Sequence, residues 1–515
     1  MMSRCMSIFS ILFVAILAGA IVATAQTLNF GSTGEPRTLD VQDAVGVENL
    51  VTHYCYDRLV EAKMVEGTLT VLPGLAERWE VSEDARQFTF YLRRGVQFID
   101  GHPLDADAVK FSFDRLFALG LPASGHLDFI SNYEVVDEYT IAFRSDVPFV
   151  PGIISFAATG ASIVSPGIRT YEEESGDWAR DWMTGNTAGT GPFVVAEWTR
   201  GMRTVLVRND DYWGEMPVLE KVIIRYIPES STLRLMLEAG DIDMGESFTA
   251  EEIGAMGKNP AIKVVTAPSN MVYYLYLNNK QPYLEDVRVR RAISYAIDYE
   301  GILEYVWGGN GSIMQGVIPA GMLGHCDSMF QYTRDLEEAR QLLEEAGYPG
   351  GGFSLRIQSA DLVPEWRQIS LVVQQNLADI GIDVVVEDYP NPTHRERLGT
   401  GNFDISNGRW FGGSPEPHVY VGYWFDSDKH GLAGNRSFYT SPVMDELVAM
   451  QARETDPARR EQILETIQWL ALSDAPYVLL FQDEKRQVMR TWVQGYEYNP
   501  AYSLTPNFPE IWLDK

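Results

Sequence analysis

The chain predicts a mixed α/β fold of two or three domains whose segments interleave along the sequence. Three observations carry this reading. The polar–apolar period switches repeatedly between the two-residue repeat of strands and the longer repeat of helices. At 515 residues the chain exceeds what one hydrophobic core accommodates. No low-complexity linker and no internal repeat separates its parts, so the domains are expected to be discontinuous, with the backbone crossing between them at short strands.

The elements follow in order. Leu50 to Val60 reads as an apolar helical run containing Cys55. Gln87 to Arg93 alternates, with Phe88, Phe90 and Leu92 on one face and Thr89, Tyr91 and Arg93 on the other, which is a half-buried antiparallel strand. Asp100-Gly101 and His102-Pro103 break the chain, and Asp105 then caps a helix reaching Phe117. Arg203 to Arg208 and Lys221 to Ile227 read as strands flanking a turn at Asn209 to Asp211. Ser230 to Ala239 reads as a helix stopped by Gly240. Val272 to Leu277 is a buried strand, and Asp286 to Ile297 an amphipathic helix. Asp335 caps a helix to Ala346, with Glu338 three residues on and Gly347 at its exit. Val363 to Ile380 is a longer helix, Asp383 to Glu387 a strand. Asp456-Pro457 opens a last long helix, and Tyr477 to Phe481 is the final strand.

The first 25 residues have the form of a cleavable secretory leader. Arg4 precedes an apolar run, Ile8 to Val22, and Ala23-Thr24-Ala25 gives a small-x-small cleavage site. Leu17-Ala18-Gly19 is followed by Ala20, not by the cysteine of a lipoprotein, so a soluble periplasmic chain is expected. With 71 acidic against 41 basic residues the net charge is −30, which repels phosphate backbones. No basic run with interleaved aromatics occurs, so a nucleic-acid partner is excluded. Cys55 and Cys326 follow the leader. Export permits a disulfide between them, but Cys55 is read as a small core residue.

Five blocks then carry a resemblance. Leu75 to Leu116 begins Leu-Ala-Glu-Arg-Trp-Glu and continues through Leu92-Arg93-Arg94-Gly95-Val96 to Pro103-Leu104 and Phe111-Ser112. Gly189-Thr190-Gly191-Pro192-Phe193 leads to Glu197-Trp198 and Arg208 to Trp213. Glu238 to Asp243 is a third block. Asn278, Pro282-Tyr283, Asp286 to Arg290 and Ile297-Asp298 form a fourth, and Ile318-Pro319 to Glu345-Ala346-Gly347-Tyr348 a fifth. In this order, from about residue 27 to the C-terminus, they resemble the family 5 solute-binding proteins of ABC importers, which include oligopeptide, dipeptide and nickel receptors. Most of these residues have structural roles, as turn glycines or core tryptophans such as Trp79, Trp198 and Trp213.

The resemblance implies a two-lobed periplasmic binding protein (type II) with an extra domain in the first lobe. Lobe I would take 26–268 plus 477–515, with the extra domain at about 50–180, and lobe II 269–476. A two-segment hinge is expected near Pro268–Asn270 and Ala475–Tyr477. A peptide or peptide-like solute would be held between the lobes and passed to the membrane permease and its ATPase. No cofactor or metal is implied, and the receptor is expected to be a monomer. In relatives a ligand-facing stretch carries an aromatic, an acidic residue and Pro-x-Pro; here it is Asn407 to Pro417. Trp410 and Phe411 would be walls, each with a core role as the alternative. Gly413 or Gly412 stands where peptide receptors hold an aspartate for the α-amino group, with Glu416 or Glu35 as substitutes. Arg409, beside the aromatics, and Arg367 are candidate carboxylate clamps. Thr33 on the first loop, and Asn270 and Tyr274 near the hinge, complete the expected site.

Other readings stay open. The aromatic pair and the missing aspartate suit an oligosaccharide or an opine-type amino-acid conjugate. The seven histidines are scattered without HxH or HxxxH spacing, although His418 and His430 fall where nickel receptors have theirs. A secreted hydrolase is the competing class, but the chain has no GxSxG, HExxH or P-loop motif.

Overall fold

The computed structural model describes residues 26–65, 68–172, 176–411, 416–502 and 505–515. The expected leader, 1–25, and Gly413 lie outside the described residues.

Eleven strands form one large sheet. They are β1 (Thr27–Ser32) and, after six strands that lie outside this sheet, a run of ten more from Phe193 onward. Before that run, β2 (Val60–Val65) and β3 (Thr68–Pro73) pair as a hairpin. A separate antiparallel sheet, ordered β4-β5-β7-β6, comprises β4 (Ala76–Val81), β5 (Gln87–Leu92), β6 (Asn132–Asp137) and β7 (Thr140–Arg144). The large sheet continues with β8 (Phe193–Thr199), β9 (Arg203–Arg208), β10 (Lys221–Tyr226), β11 (Met244–Gly245) and β12 (Ile262–Leu277). Then come β13 (Gly311–Ile313), β14 (Ser354–Ala360), β15 (Asp383–Tyr389), β16 (Ile405–Trp410) and β17 (Tyr477–Arg490). A two-residue pair, β18 (Val493–Gln494) and β19 (Trp512–Leu513), closes the chain.

The order across the large sheet is β15-β14-β16-β12-β17-β11-β1-β10-β9-β8, with β13 added on β17. The two long central strands run through both halves. Ile262–Pro268 of β12 pairs with Glu484–Arg490 of β17, and Val272–Tyr276 with Tyr477–Gln482, with a register break between Pro268 and Val272. The sheet thereby divides into two α/β lobes, each with its own cores. Leu28, Phe30, Val222 and Ile224 pack on one face of the first half, where Phe508 and Ile511 from the C-terminal segment join them. Leu233 and Leu237, from the helix Ser230–Ala239, cover the other face. In the second half the two-residue period of a strand sorts the side chains: Leu275 and Leu277 face one core, Tyr274 and Tyr276 the other.

The small sheet has a third type of core, built on Phe88, Phe90, Phe113, Phe143 and Phe156. The helix Ala106–Leu119 joins it to the first lobe, since Phe113 and Leu116 face the small sheet whereas Phe111 packs into the first-lobe core. Asp105 caps this helix as its sequence requires, accepting from Ala108 N at 2.8 Å. Gly189 and Gly191 explain why the second block is rich in glycine. Their backbone lies against Cys55 and Tyr56, and a Cβ at either would overlap the Cys55 main chain.

Four expectations are corrected. The run Leu50 to Val60 is helical only at Asn49–Thr52, and Val60 already opens β2, so an apolar stretch with β-branched residues was read with the wrong period. The strand Val272 to Leu277 is the second half of a 16-residue strand. Tyr477 to Phe481 is the start of a 14-residue strand and not the last one. The helix expected from Val363 begins at Trp366. Cys55 is a buried free thiol, and Cys326 is free as well. Among the described residues no helix is long and apolar enough to cross a membrane.

Candidate functional site

Parallel strands end together at the middle of the large sheet. β1 runs parallel to β10 and β11, and β14 runs parallel to β15 and β16. In open α/β sheets, ligands bind in the crevice beyond such carboxyl ends. Here Ser32 and Glu246 come from one set of ends and Trp410 from the other, with the β12 register break between them. Ser32 Oγ donates to Glu246 Oε1 at 3.0 Å, and burial raises the Glu246 pKa against the opposing charge of Lys485. Asn270 sits within the break. Its side-chain amide donates to Pro500 O at 2.9 Å, and its carbonyl accepts from Tyr420 Oη at 2.6 Å. Asn270 therefore ties the crossing to both neighbours and is engaged through side chain and main chain.

The small-sheet unit closes against the second lobe along one seam. Val150 N donates to Ala452 O at 2.8 Å, Tyr423 Oη donates to Gly125 O at 3.1 Å, and Lys429 lies 3.5 Å from Asp128. The Phe149 ring stands edge-on to His418 at 5.2 Å. His418 Nδ1 is 2.6 Å from Gln451 Nε2, and burial first, then Lys429 and Arg460, push its pKa down to about 3. His430 Nε2 lies 3.0 Å from Tyr439 O, so both histidines are occupied by protein partners.

The expected site residues separate into two groups. Trp410 is half-buried at the end of β16, donates from Nε1 to Val419 O at 2.9 Å, and packs 5.6 Å from the Tyr423 ring. Phe411 and Thr33 are also half-buried and lie just past the ends of β16 and β1. Tyr274 is different: at 1 % exposure it is core, with its hydroxyl 2.9 Å from that of Tyr276 and its ring 4.5 Å from Trp424. It supports the wall from behind and has no face for a solute. Arg367 is 60 % exposed at the start of its helix and ion-paired with Asp388, so its charge is already matched on the surface. Glu416, offered as a substitute for the missing aspartate, is ion-paired with the buried Arg460. Glu35 accepts from Gly201 N at 2.9 Å through one oxygen, while its other oxygen is buried without a partner among the described residues.

Arg409 corrects a further expectation. Adjacent residues of a strand face opposite sides. Arg409 pairs with Tyr273 across the strands, whereas Trp410 faces the core of Tyr274 and Tyr276. The guanidinium beside the aromatic wall is that of Arg436, whose carbon lies 5.6 Å from the Trp410 ring centroid. Sequence reasoning missed Arg436 because it lies in an irregular loop without a motif. It also missed Glu246, although the block Glu238 to Asp243 ends just before it.

Residues 70–431 match the model of the bacterial extracellular solute-binding proteins, family 5. The chain belongs to that family. Among curated family 5 relatives, the probable D,D-dipeptide-binding periplasmic protein DdpA of Escherichia coli K12 is 36% identical over 478 residues, covering 92% of each chain. Among solved structures, the periplasmic binding protein DppA of Helicobacter pylori, in complex with the peptide STSA, superimposes with a TM-score of 0.84. It is 27% identical and covers 95% of this chain and 98% of its own. AgaA from A. tumefaciens R10, in complex with agropinic acid, gives a TM-score of 0.82 at 26% identity, covering 95% and 99%. These family 5 structures share the two-lobed fold, and the family's members are transport receptors rather than enzymes.

Within this site Trp410→Ala is expected to weaken solute binding at least tenfold by titration calorimetry. Because the indole also packs and donates a hydrogen bond, ligand-free stability should fall by about 2 kcal/mol in thermal melts. Unchanged affinity would remove Trp410 from the site.

Proposed function

We propose that the protein is the periplasmic receptor of an ABC importer for short peptides, which it holds between its lobes and delivers to the permease. The observation that carries this reading is the near-full-length relation to a probable D,D-dipeptide-binding protein. The convergence of strand ends at the crossing supplies the crevice. On this reading residues 1–25 direct export and are removed. Lobe I comprises 26–268 with the segment from about 484 to 515, the extra domain of about 50–180 centres on the small sheet, and lobe II runs from 269 to about 482, where Val478, Leu480 and Phe481 pack in its core. The hinge lies at the register break, so its second segment falls near Gln482–Glu484 instead of Ala475–Tyr477. A ligand that touches both lobes stabilises the closed form by its differential affinity. Trp410, Phe411 and Thr33 line the site, and the receptor acts as a monomer.

The test is calorimetry with Ala-Ala and D-Ala-D-Ala, together with mass spectrometry of whatever small molecule leaves the denatured protein. Micromolar or tighter binding of a dipeptide, or release of a peptide, supports the reading. No binding of either dipeptide, with release of a non-peptide solute, would overturn it and favour the opine-type alternative.

A further inference from the structure

The two ends of the chain meet at Gln26, the residue that removal of the expected leader exposes as a new N-terminus. Its side-chain amide makes two hydrogen bonds to one residue 487 positions away. Nε2 donates to Leu513 O at 3.1 Å, and Oε1 accepts from Leu513 N at 2.8 Å. The amide thus pairs with β19 as the main chain of a neighbouring strand would. The main chain of Gln26 is held as well. Its carbonyl accepts from Glu220 N at 3.0 Å and from Lys221 N at 3.3 Å, just ahead of the pairing of Thr27 with Lys221.

The segment that Gln26 grips is short, since β19 and its partner β18 have two residues each. Leu513 packs into the first-lobe core with Leu28 and Phe30. Asp514 N donates to Trp492 O at 2.8 Å, and Lys515 Nζ lies 2.7 Å from Asp243. Gln26 is therefore a joint between the first strand of the large sheet and the last strand of the chain. A glutamine at a free N-terminus also has a reaction that an internal one lacks. Its α-amine has a pKa of about 8, so much of it is unprotonated in mildly alkaline solution. That nitrogen attacks Cδ of the same residue: the N–Cδ bond forms, the Cδ–Nε2 bond breaks, and Nε2 leaves as ammonia with a proton from the amine. The lactam product has no Nε2 to donate to Leu513 O. Its remaining oxygen belongs to a ring closed on the main-chain nitrogen.

We propose that Gln26 is a fold-guarded modification site: the unfolded exported chain cyclises it to pyroglutamate, whereas the folded protein, by clamping its amide on Leu513, keeps it as glutamine. This rests on the reading above that residues 1–25 are removed, and it gives the new terminus a structural duty. Cyclisation in the folded state requires the clamp to open first, so its rate falls with the fraction of time the clamp spends open. The same linkage acts in reverse. A chain cyclised before it folds forfeits the clamp and reaches a less stable native state.

The experiment uses the mature protein, exported with its own leader, as wild type, Gln26→Glu and Leu513→Pro. N-terminal sequencing fixes the first residue. The mass of the N-terminal peptide then follows the loss of one ammonia during mildly alkaline incubation, in buffer and in guanidinium chloride. Wild type should begin at Gln26 and react at least tenfold more slowly in buffer than in guanidinium chloride. Leu513→Pro lacks the N–H that Oε1 accepts from, and should react at least threefold faster than wild type in buffer but at the same rate in guanidinium chloride. Gln26→Glu has no ammonia to lose and is the control. Wild type cyclised in guanidinium chloride and refolded should melt at a lower Tm than refolded protein that still carries glutamine. Equal rates in the two solvents, for a chain that begins at Gln26, would overturn the guard and leave the receptor reading intact. A folded Leu513→Pro that reacts no faster than wild type would overturn the clamp as the cause. If Leu513→Pro does not fold, the wild-type rate ratio and the Tm of the cyclised form decide. A mature chain that begins at any other residue would overturn the proposal together with the cleavage point after Ala25, whatever peptide binding shows.

Discussion

Arg115→Met is expected to destabilise the ligand-free protein by about 3–5 kcal/mol, the largest effect of any single substitution considered. Arg115 is fully buried, with Nη1 3.1 Å and Nη2 2.5 Å from the two Asp40 oxygens. Nη1 also donates to Gln42 Oε1 at 2.6 Å, and Nε to Trp178 O at 3.0 Å. Removing the guanidinium leaves Asp40 charged and unpaired at 1 % exposure, and methionine supplies packing but no donor. The damage falls where the helix Ala106–Leu119 joins the small sheet to the first lobe. Loss of this pair should therefore loosen their junction as well as lower the urea midpoint. The double variant Asp40→Asn/Arg115→Met removes the orphaned charge and should recover part of the loss. A single variant with a midpoint within 1 kcal/mol of wild type would show that the pair adds little.

Asp483→Asn is expected to do the opposite and stabilise the protein at neutral pH. Asp483 sits on β17 beside the register break, opposite Gly311 of β13, and its Oδ1 accepts from Trp307 Nε1 at 2.8 Å. Burial raises its pKa to about 6, against the opposing effects of that hydrogen bond, Arg486 and Lys485. The folded state thus keeps a proton that the unfolded chain releases near its ordinary value, 3.8. Between about pH 4 and pH 6 the folded state binds more protons, so stability falls as pH rises, and above pH 6 the penalty is complete. A shift of this size corresponds to about 3 kcal/mol, and partial exposure of the side chain reduces it to about 2 kcal/mol. Asparagine keeps an acceptor for Trp307 without the charge. Urea midpoints should therefore favour the variant at pH 7.5 and converge with wild type at pH 4. A difference that persists at pH 4 would exclude the carboxylate as its source.

Local chemistry was the most legible part of the sequence. Asp105, Asp335 and Asp456 each accept from amides of the helix they precede, and Gly240 takes the left-handed conformation that ends its helix, because these signals act over four residues. The long central strands were half visible. The tyrosine-rich Val272 to Leu277 reads as strand, but Ile262–Pro268 does so only once paired with Glu484–Arg490, more than 200 residues away. Trp410 was reachable through its aromatic, loop-flanked setting. Arg409 was read as part of a ligand-facing stretch, whereas it lies on β16 opposite Tyr273, a register set by a distant strand. Arg436 carries no local signal at all, since what brings it beside Trp410 is the packing of distant segments.

The pairing of Tyr276 with Tyr477, and of Leu277 N with Pro476 O, means that the polypeptide leaves the central strands and returns to them at one point. The 199 residues from 278 to 476 are thus a closed excursion whose two ends are adjacent. Such an excursion can be exchanged as a unit for that of a relative, provided that Leu275, Leu277, Val478 and Phe481, which complete its core from the central strands, suit the incoming segment.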